Sequence, residues 1–143
     1  MTIARRSLLA FAATLAVSPA MAQSTSSDTK VAIRGYDTVA YFTLGRPEHG
    51  SPSISHQWDG RRYLFVNEGH RELFARDPGK YAPQFAGLCS AGMSAGMRIE
   101  ADPKNWIISD GRLFLFSGVS GPEQARNDPT LLRRADANWV KQP

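Results

Sequence analysis

The chain has one cysteine, Cys89, set in the stretch "YAPQFAGLCSAGMSAGM" from Tyr81 to Met97. Met93 and Met97 follow it at four-residue steps. On a helix that spacing puts three sulfurs on one face, and thiolate with thioether donors select Cu(I) over harder ions. Gly87, Gly92 and Gly96 oppose a long helix here, each costing about 1 kcal/mol relative to alanine. The same spacing also describes a close-packed stripe in which glycines admit neighbouring backbone and methionines fill gaps. Cys89 therefore admits three roles: soft metal ligand, reactive thiol, or small buried apolar residue. A thiol that follows a glycine turn and opens a helix meets free amides, which lower its pKa from about 8.5 and raise its reactivity. No second cysteine exists to resolve an oxidised sulfur, so a redox role requires an external thiol.

Three histidines are the candidate nitrogen partners. His49 lies in the polar loop "RPEHGSP" and reads as solvated. His70, beside Arg71 and Glu72 in a helical stretch, reads as a surface residue. His56 opens a strand before Gln57 and Trp58 and is the preferred ligand or base to face Cys89. Tyr36 and Asp37 in "GYDTVAY" can line a pocket, or simply form a turn through the Asp37 side chain. Phosphate loops, paired catalytic carboxylates at helical spacing and nucleophile-elbow patterns are missing from the sequence, which argues against a hydrolase or nucleotide enzyme.

The first residues suggest a compartment. Arg5 and Arg6, the apolar run "SLLAFAATLAV" and Ala20-Met21-Ala22 read as a secretory signal peptide over residues 1–22, cleaved near Ala22. The paired arginines fit a twin-arginine export signal, and the run is too short for a permanent membrane span. The expected location is periplasmic or secreted. Processing leaves 121 residues, one domain's length. Arg5 and Arg6 leave with the signal, so 17 basic residues against 13 acidic become 15 against 13. These charges are interleaved, not gathered in a stripe, and predict no nucleic-acid partner. Residues 23–30, "QSTSSDTK", read as a flexible tether, and the domain is expected over 31–143.

Within that domain the chain repeats itself. "DGRRYLF" at 59–65 and "DGRLFLF" at 110–116 lie 51 residues apart, and the offset continues through Glu72 and Glu123 to Asp77-Pro78 and Asp128-Pro129. Eight of twenty positions agree over 59–78. Asp-Gly between apolar runs is a strong hairpin signal. "NEGHRELFARD" reads as a helix that Asn67 can cap, with Leu73 and Phe74 as its buried stripe, and "LLRRADANWV" has the pattern of a short closing helix. An extended segment with a turn at Tyr36-Asp37-Thr38 is expected over Val31–Phe42. The fold class predicted is α+β: a small single domain of two β-hairpin–helix units with the Gly-rich Cys segment between them.

"AIRGYDTVAYF", "WDGRRYLF", "FARDPGKY", "YAPQFAGLCSAGM" and "DPKNWIISDGRLFL", in that order and spacing, resemble the YHS domain family. The closer likeness is to its exported bacterial subgroup of YHS domain-containing (seleno)proteins, over nearly all of residues 31–140. The resemblance implies a treble-clef-like first unit and a metal-associated module. Many members ligate metal through two cysteines of the second strand, but Val66 and His70 stand at those positions here. The Tyr-His-Ser triplet that names the family is also missing. In the exported subgroup, cysteine or selenocysteine is expected at the position of Cys89, which implies chemistry at that atom.

Three functions follow as expectations. The first is an exported metal-binding module, copper preferred, with Cys89 as central ligand, His56 as partner and Met93 as a third donor. Copper is preferred to zinc because structural zinc sites take four Cys or His ligands. The second is a thiol-redox protein using Cys89 without metal, its partner a small thiol. The third is a non-catalytic envelope interaction module whose cysteine packs.

Overall fold

The structure, a computed structural model, describes residues 29–143. The signal-peptide expectation and most of the tether therefore lie outside the described residues. Lys30, assigned to the tether, is already tied down: its carbonyl accepts from the Arg62 amide at 3.1 Å, and its Nζ lies 3.6 Å from Glu100. Among the described residues no helix is long and apolar enough to cross a membrane.

The fold is a small single-domain α+β structure built on two separate β-hairpins. Strand β1 (Ser51–Trp58) pairs antiparallel with β2 (Arg61–Phe65), and β3 (Asp102–Ser109) with β4 (Arg112–Phe116). Both Asp-Gly turns have positive φ at both positions: Asp59 49° and Gly60 69°, Asp110 49° and Gly111 72°. Two-residue turns of this hand match the twist of the flanking strands, and aspartate and glycine tolerate it. Around the chain run α1 (Ala40–Thr43), α2 (Glu68–Arg76), α3 (Pro78–Tyr81), α4 (Ser90–Ser94), α5 (Gly121–Asn127) and α6 (Leu131–Trp139). Asn67 caps α2, its Oδ1 accepting from the His70 amide at 2.8 Å.

The 51-residue repeat is a repeat of backbone. In the first hairpin Ser51 pairs with Phe65, an irregularity follows, and pairing resumes at Ser55 with Leu64. In the second, Asp102 pairs with Phe116 and pairing resumes at Trp106 with Leu115. Upstream the likeness extends beyond what the residues suggest. The segment expected to be extended is a 3-10 turn, Ala32–Gly35, and its counterpart is Gln84–Gly87. Ile33, Arg34 and Gly35 have φ of 38°, 53° and 82°; Phe85, Ala86 and Gly87 have 57°, 53° and 79°. Each turn leads to an isolated bridge, Tyr36 with His49 and Leu88 with Glu100. The offset is 52 here and 51 in the hairpins, so the second unit is one residue shorter in between.

Each unit has its own buried cluster. Phe65 and Phe74 centre the first, while Phe114, Phe116, Leu113 and Leu115 centre the second. Burying each such side chain contributes about 1.5–3 kcal/mol. Ile33 and Phe42 pack against both clusters and join the two units.

Candidate functional site

Asp37 and Cys89 stand at equivalent points, each two residues beyond the glycine of its left-handed turn. The amide of Asp37 donates to the Glu48 carbonyl at 2.8 Å, and that of Cys89 to the Ile99 carbonyl, also at 2.8 Å. Their side chains then meet the same frame of backbone donors. Oδ1 of Asp37 accepts from the Val39 amide at 2.8 Å and the Ala40 amide at 3.2 Å. Its Oδ2 accepts from the Val66 amide at 2.9 Å. Sγ of Cys89 accepts from the amides of Ala91, Gly92 and Ser117, the three counterparts, with Gly92 at 3.4 Å. The Ser117 hydroxyl adds a fourth donor to the sulfur at 3.3 Å.

This frame sets the electrostatics of the thiol. Cys89 is only 2% exposed, and burial alone pushes a thiol up because it disfavours the charged form. The Ser117 hydroxyl and the amides of Gly92, Ser117 and Ala91 together outweigh burial and bring the Cys89 pKa below its ordinary value. Every hydrogen-bonding group around the sulfur is a donor, so the frame favours an anion. Ser117, whose hydroxyl donates to the sulfur, is itself exposed.

The first unit adds what sequence reasoning missed. His70, expected on the surface, is 8% exposed, and its Nδ1 donates to Asp37 Oδ2 at 2.6 Å. Since that oxygen only accepts, Nδ1 carries a proton, and Nε2 faces the Thr43 hydroxyl at 3.0 Å. The reason for the correction is that α2 turns His70 inward, one turn before buried Phe74. The spacing of His70 and Phe74 was the available signal; the flanking charges Arg71 and Glu72 masked it. Asp37 does form its turn, and it also closes the unit by reaching the end of β2 and α2.

Of the predicted site residues, Cys89 and Met93 are brought into one buried cluster. The three-sulfur face is not formed: α4 ends at Ser94 and Met97, beyond it, is 52% exposed. His56 lies edge-on to Phe74, ring centroids 5.9 Å apart, on the first unit's cluster. His49 is exposed and stacks on Tyr36 at 4.1 Å. Among the described residues no three His, Cys, Asp or Glu side chains gather in a group able to hold a metal ion. The hydroxyl of Ser90, beside Cys89, is buried without a hydrogen-bond partner among the described residues. Its counterpart Thr38 donates to the Tyr81 carbonyl. No family model, curated protein or solved structure matches the chain.

Proposed function

We propose that the protein is an exported thiol-redox module of the YHS type, in which Cys89 acts as a hydrogen-bonded thiolate. One observation carries this reading: Sγ of Cys89 faces the amides of Ala91, Gly92 and Ser117, the counterparts of the three that hold the Asp37 carboxylate in the first unit. A frame that holds a carboxylate is a frame for an anion, and the thiolate is the nucleophilic form of cysteine. The likeness to the exported subgroup, with cysteine or selenocysteine at this position, supports the same atom. In that reading the first hairpin with α2 is the treble-clef-like part, and the glycine-rich segment between the units presents the sulfur.

The reaction is thiol–disulfide exchange with a small external partner. The Cys89 thiolate attacks one sulfur of a disulfide RS–SR, forming the mixed disulfide Cys89–S–S–R and releasing RS⁻. The thiolate R′S⁻ of a second small thiol attacks the R sulfur, restores the Cys89 thiolate and leaves as the exchanged disulfide RS–SR′. Displacement of Ser117 exposes the sulfur. The test is incubation of the mature protein with oxidised glutathione at neutral pH, read by intact mass. A single adduct, lost in Cys89→Ser, is expected; a native protein that gains none over hours overturns the exchange.

A second reading retains copper. Cys89 and Met93 are one helical turn apart in a shared buried cluster, and a thiolate–thioether pair is a Cu(I) ligand set. His56 packs on the other unit's cluster, so the reading rests on the two sulfurs. Cu(I) titration against a competing chelator decides it: Cys89→Ser and Met93→Leu should each abolish binding, and binding unchanged in both removes the reading.

A further inference from the structure

A cleft of about 550 Å³ lies between α4, α5 and α6, lined by Ser94, Glu123, Gln124, Asn127, Asp128 and Arg134 among others. The internal repeat shows that this opening is built into the second unit. The first unit fills the equivalent seam. Phe42, five residues after Asp37, packs on both core clusters and meets Tyr81 edge-on at 5.3 Å. Leu73 of α2 also packs on the first cluster. Their counterparts in the second unit are Ser94, five residues after Cys89, and Gln124, at the 51-residue offset. Gly69 becomes Ser120 and the buried His70 becomes Gly121 at the same offset. Two large apolar groups and an imidazole are thus replaced by a hydroxyl, an amide and a hydrogen.

Gly121 has no room for more. A Cβ there would lie 2.5 Å from Phe116 Cβ, so α5 sits hard against β4 and the free volume is left on its α4 side. The cleft falls within the range of small-molecule sites, roughly 300–1,000 Å³.

The bordering chemistry narrows the ligand. Asp128 and Arg134 are joined to each other at 2.9 Å. Glu123 takes part in no ion pair among the described residues. With Asp128 and Arg134 offsetting each other, Glu123 is the unpaired charge of the cleft and favours an ammonium group. Gln124 and Asn127 each offer a donor and an acceptor, the complement of a peptide group. Ala91 and Leu131 form an apolar wall suited to a small side chain.

We propose that this cleft binds a short peptide by its free amino end, with the ammonium at Glu123 and the peptide groups on Gln124 and Asn127. The proposal does not depend on the thiol chemistry of Cys89, which is buried and does not line the cleft.

The test is titration of ¹⁵N-labelled mature protein with trialanine and N-acetyl-trialanine, followed by amide chemical shifts. Trialanine at millimolar concentration should move the amides of Ala91, Ser94, Gln124 and Asn127, and the acetylated peptide should need a several-fold higher concentration to do so. Glu123→Gln, a surface change that leaves the fold intact, should weaken binding by about two- to five-fold, the scale of an exposed ion pair. The double variant Ser94→Phe/Gln124→Leu, which restores the seam of the first unit, should abolish it. Absence of shifts, equal binding of the acetylated peptide, or full affinity in Glu123→Gln overturns the proposal. Glu123→Gln decides the matter if the double variant fails to fold.

Discussion

Cys89 in the second unit takes the place of Asp37 in the first: each side chain accepts from the amides two and three residues ahead and from the residue that follows the second strand of its hairpin. The correspondence sets an unreactive carboxylate and a thiol in one backbone frame within one chain. It also separates the parts of the frame that are structural, since both units keep them, from what is particular to the sulfur. The Ser117 hydroxyl belongs to the second group, as its counterpart Val66 has none.

The thiol should therefore titrate below its ordinary value, because the hydrogen bonds to the sulfur outweigh burial. A group with a depressed folded pKa adds stability that is complete above the unfolded pKa and lost as pH falls through the folded one. The stability difference between wild type and Cys89→Ser should accordingly grow as pH rises towards the ordinary thiol value, about 8.5, and flatten above it. Urea unfolding across that window measures it. Ser117→Ala removes one donor and should raise the midpoint of the alkylation rate against pH; an unmoved midpoint would show that the hydroxyl does not act on the sulfur.

The shared frame makes an unusual substitution tolerable. Cys89→Asp places a carboxylate before three amides that suit one, and should keep its stability at neutral pH within about 1 kcal/mol of wild type, the scale of one net hydrogen bond. Cys89→Leu leaves those amides buried without an acceptor and should lose at least about 2 kcal/mol. Thermal unfolding of the two variants gives the comparison, and an aspartate variant less stable than the leucine one contradicts the equivalence of the positions.

Asp37 is the structural member of the pair. Asp37→Ala strips acceptors from the Val39, Ala40 and Val66 amides and from His70 Nδ1, all at 3.2 Å or less. Breaking a buried pair by removing one partner costs about 3–5 kcal/mol, and chemical denaturation should show a loss on that scale. A loss below about 1 kcal/mol, the size of a single net hydrogen bond, would mean that the carboxylate does not hold the unit together.

Gly121→Ala tests the packing that leaves the cleft open. Its added Cβ would meet Phe116 Cβ at 2.5 Å and Cδ1 at 2.6 Å, and overpacking of this kind costs about 1–3 kcal/mol. His70, at the same offset, carries a full side chain without such a conflict, so the reciprocal change His70→Gly should lose the contacts to Asp37 and Thr43, the buried imidazole volume and about 1 kcal/mol of helix propensity. Equal stability of Gly121→Ala and wild type would show that α5 is free to move away from β4.

What the residues determine by themselves is local. Asp-Gly turns of positive φ, the Asn67 cap and the apolar patterns of α2 and α6 depend on neighbours a few positions away, and each forms where the pattern places it. The hairpin repeat was legible for the same reason, because like turns and like strands recur at one offset. The 3-10 turns and the pairing of Asp37 with Cys89 were hidden: "AIRGYD" and "QFAGLC" share glycine but almost no other side chain. Their likeness lies in backbone angles and amide directions, which many sequences satisfy. Tertiary structure alone turned His70 inward, placed His56 on Phe74 and left Met97 outside the helix. Those outcomes are set by which faces two packed units bury against each other, a contest between distant segments that no local spacing records.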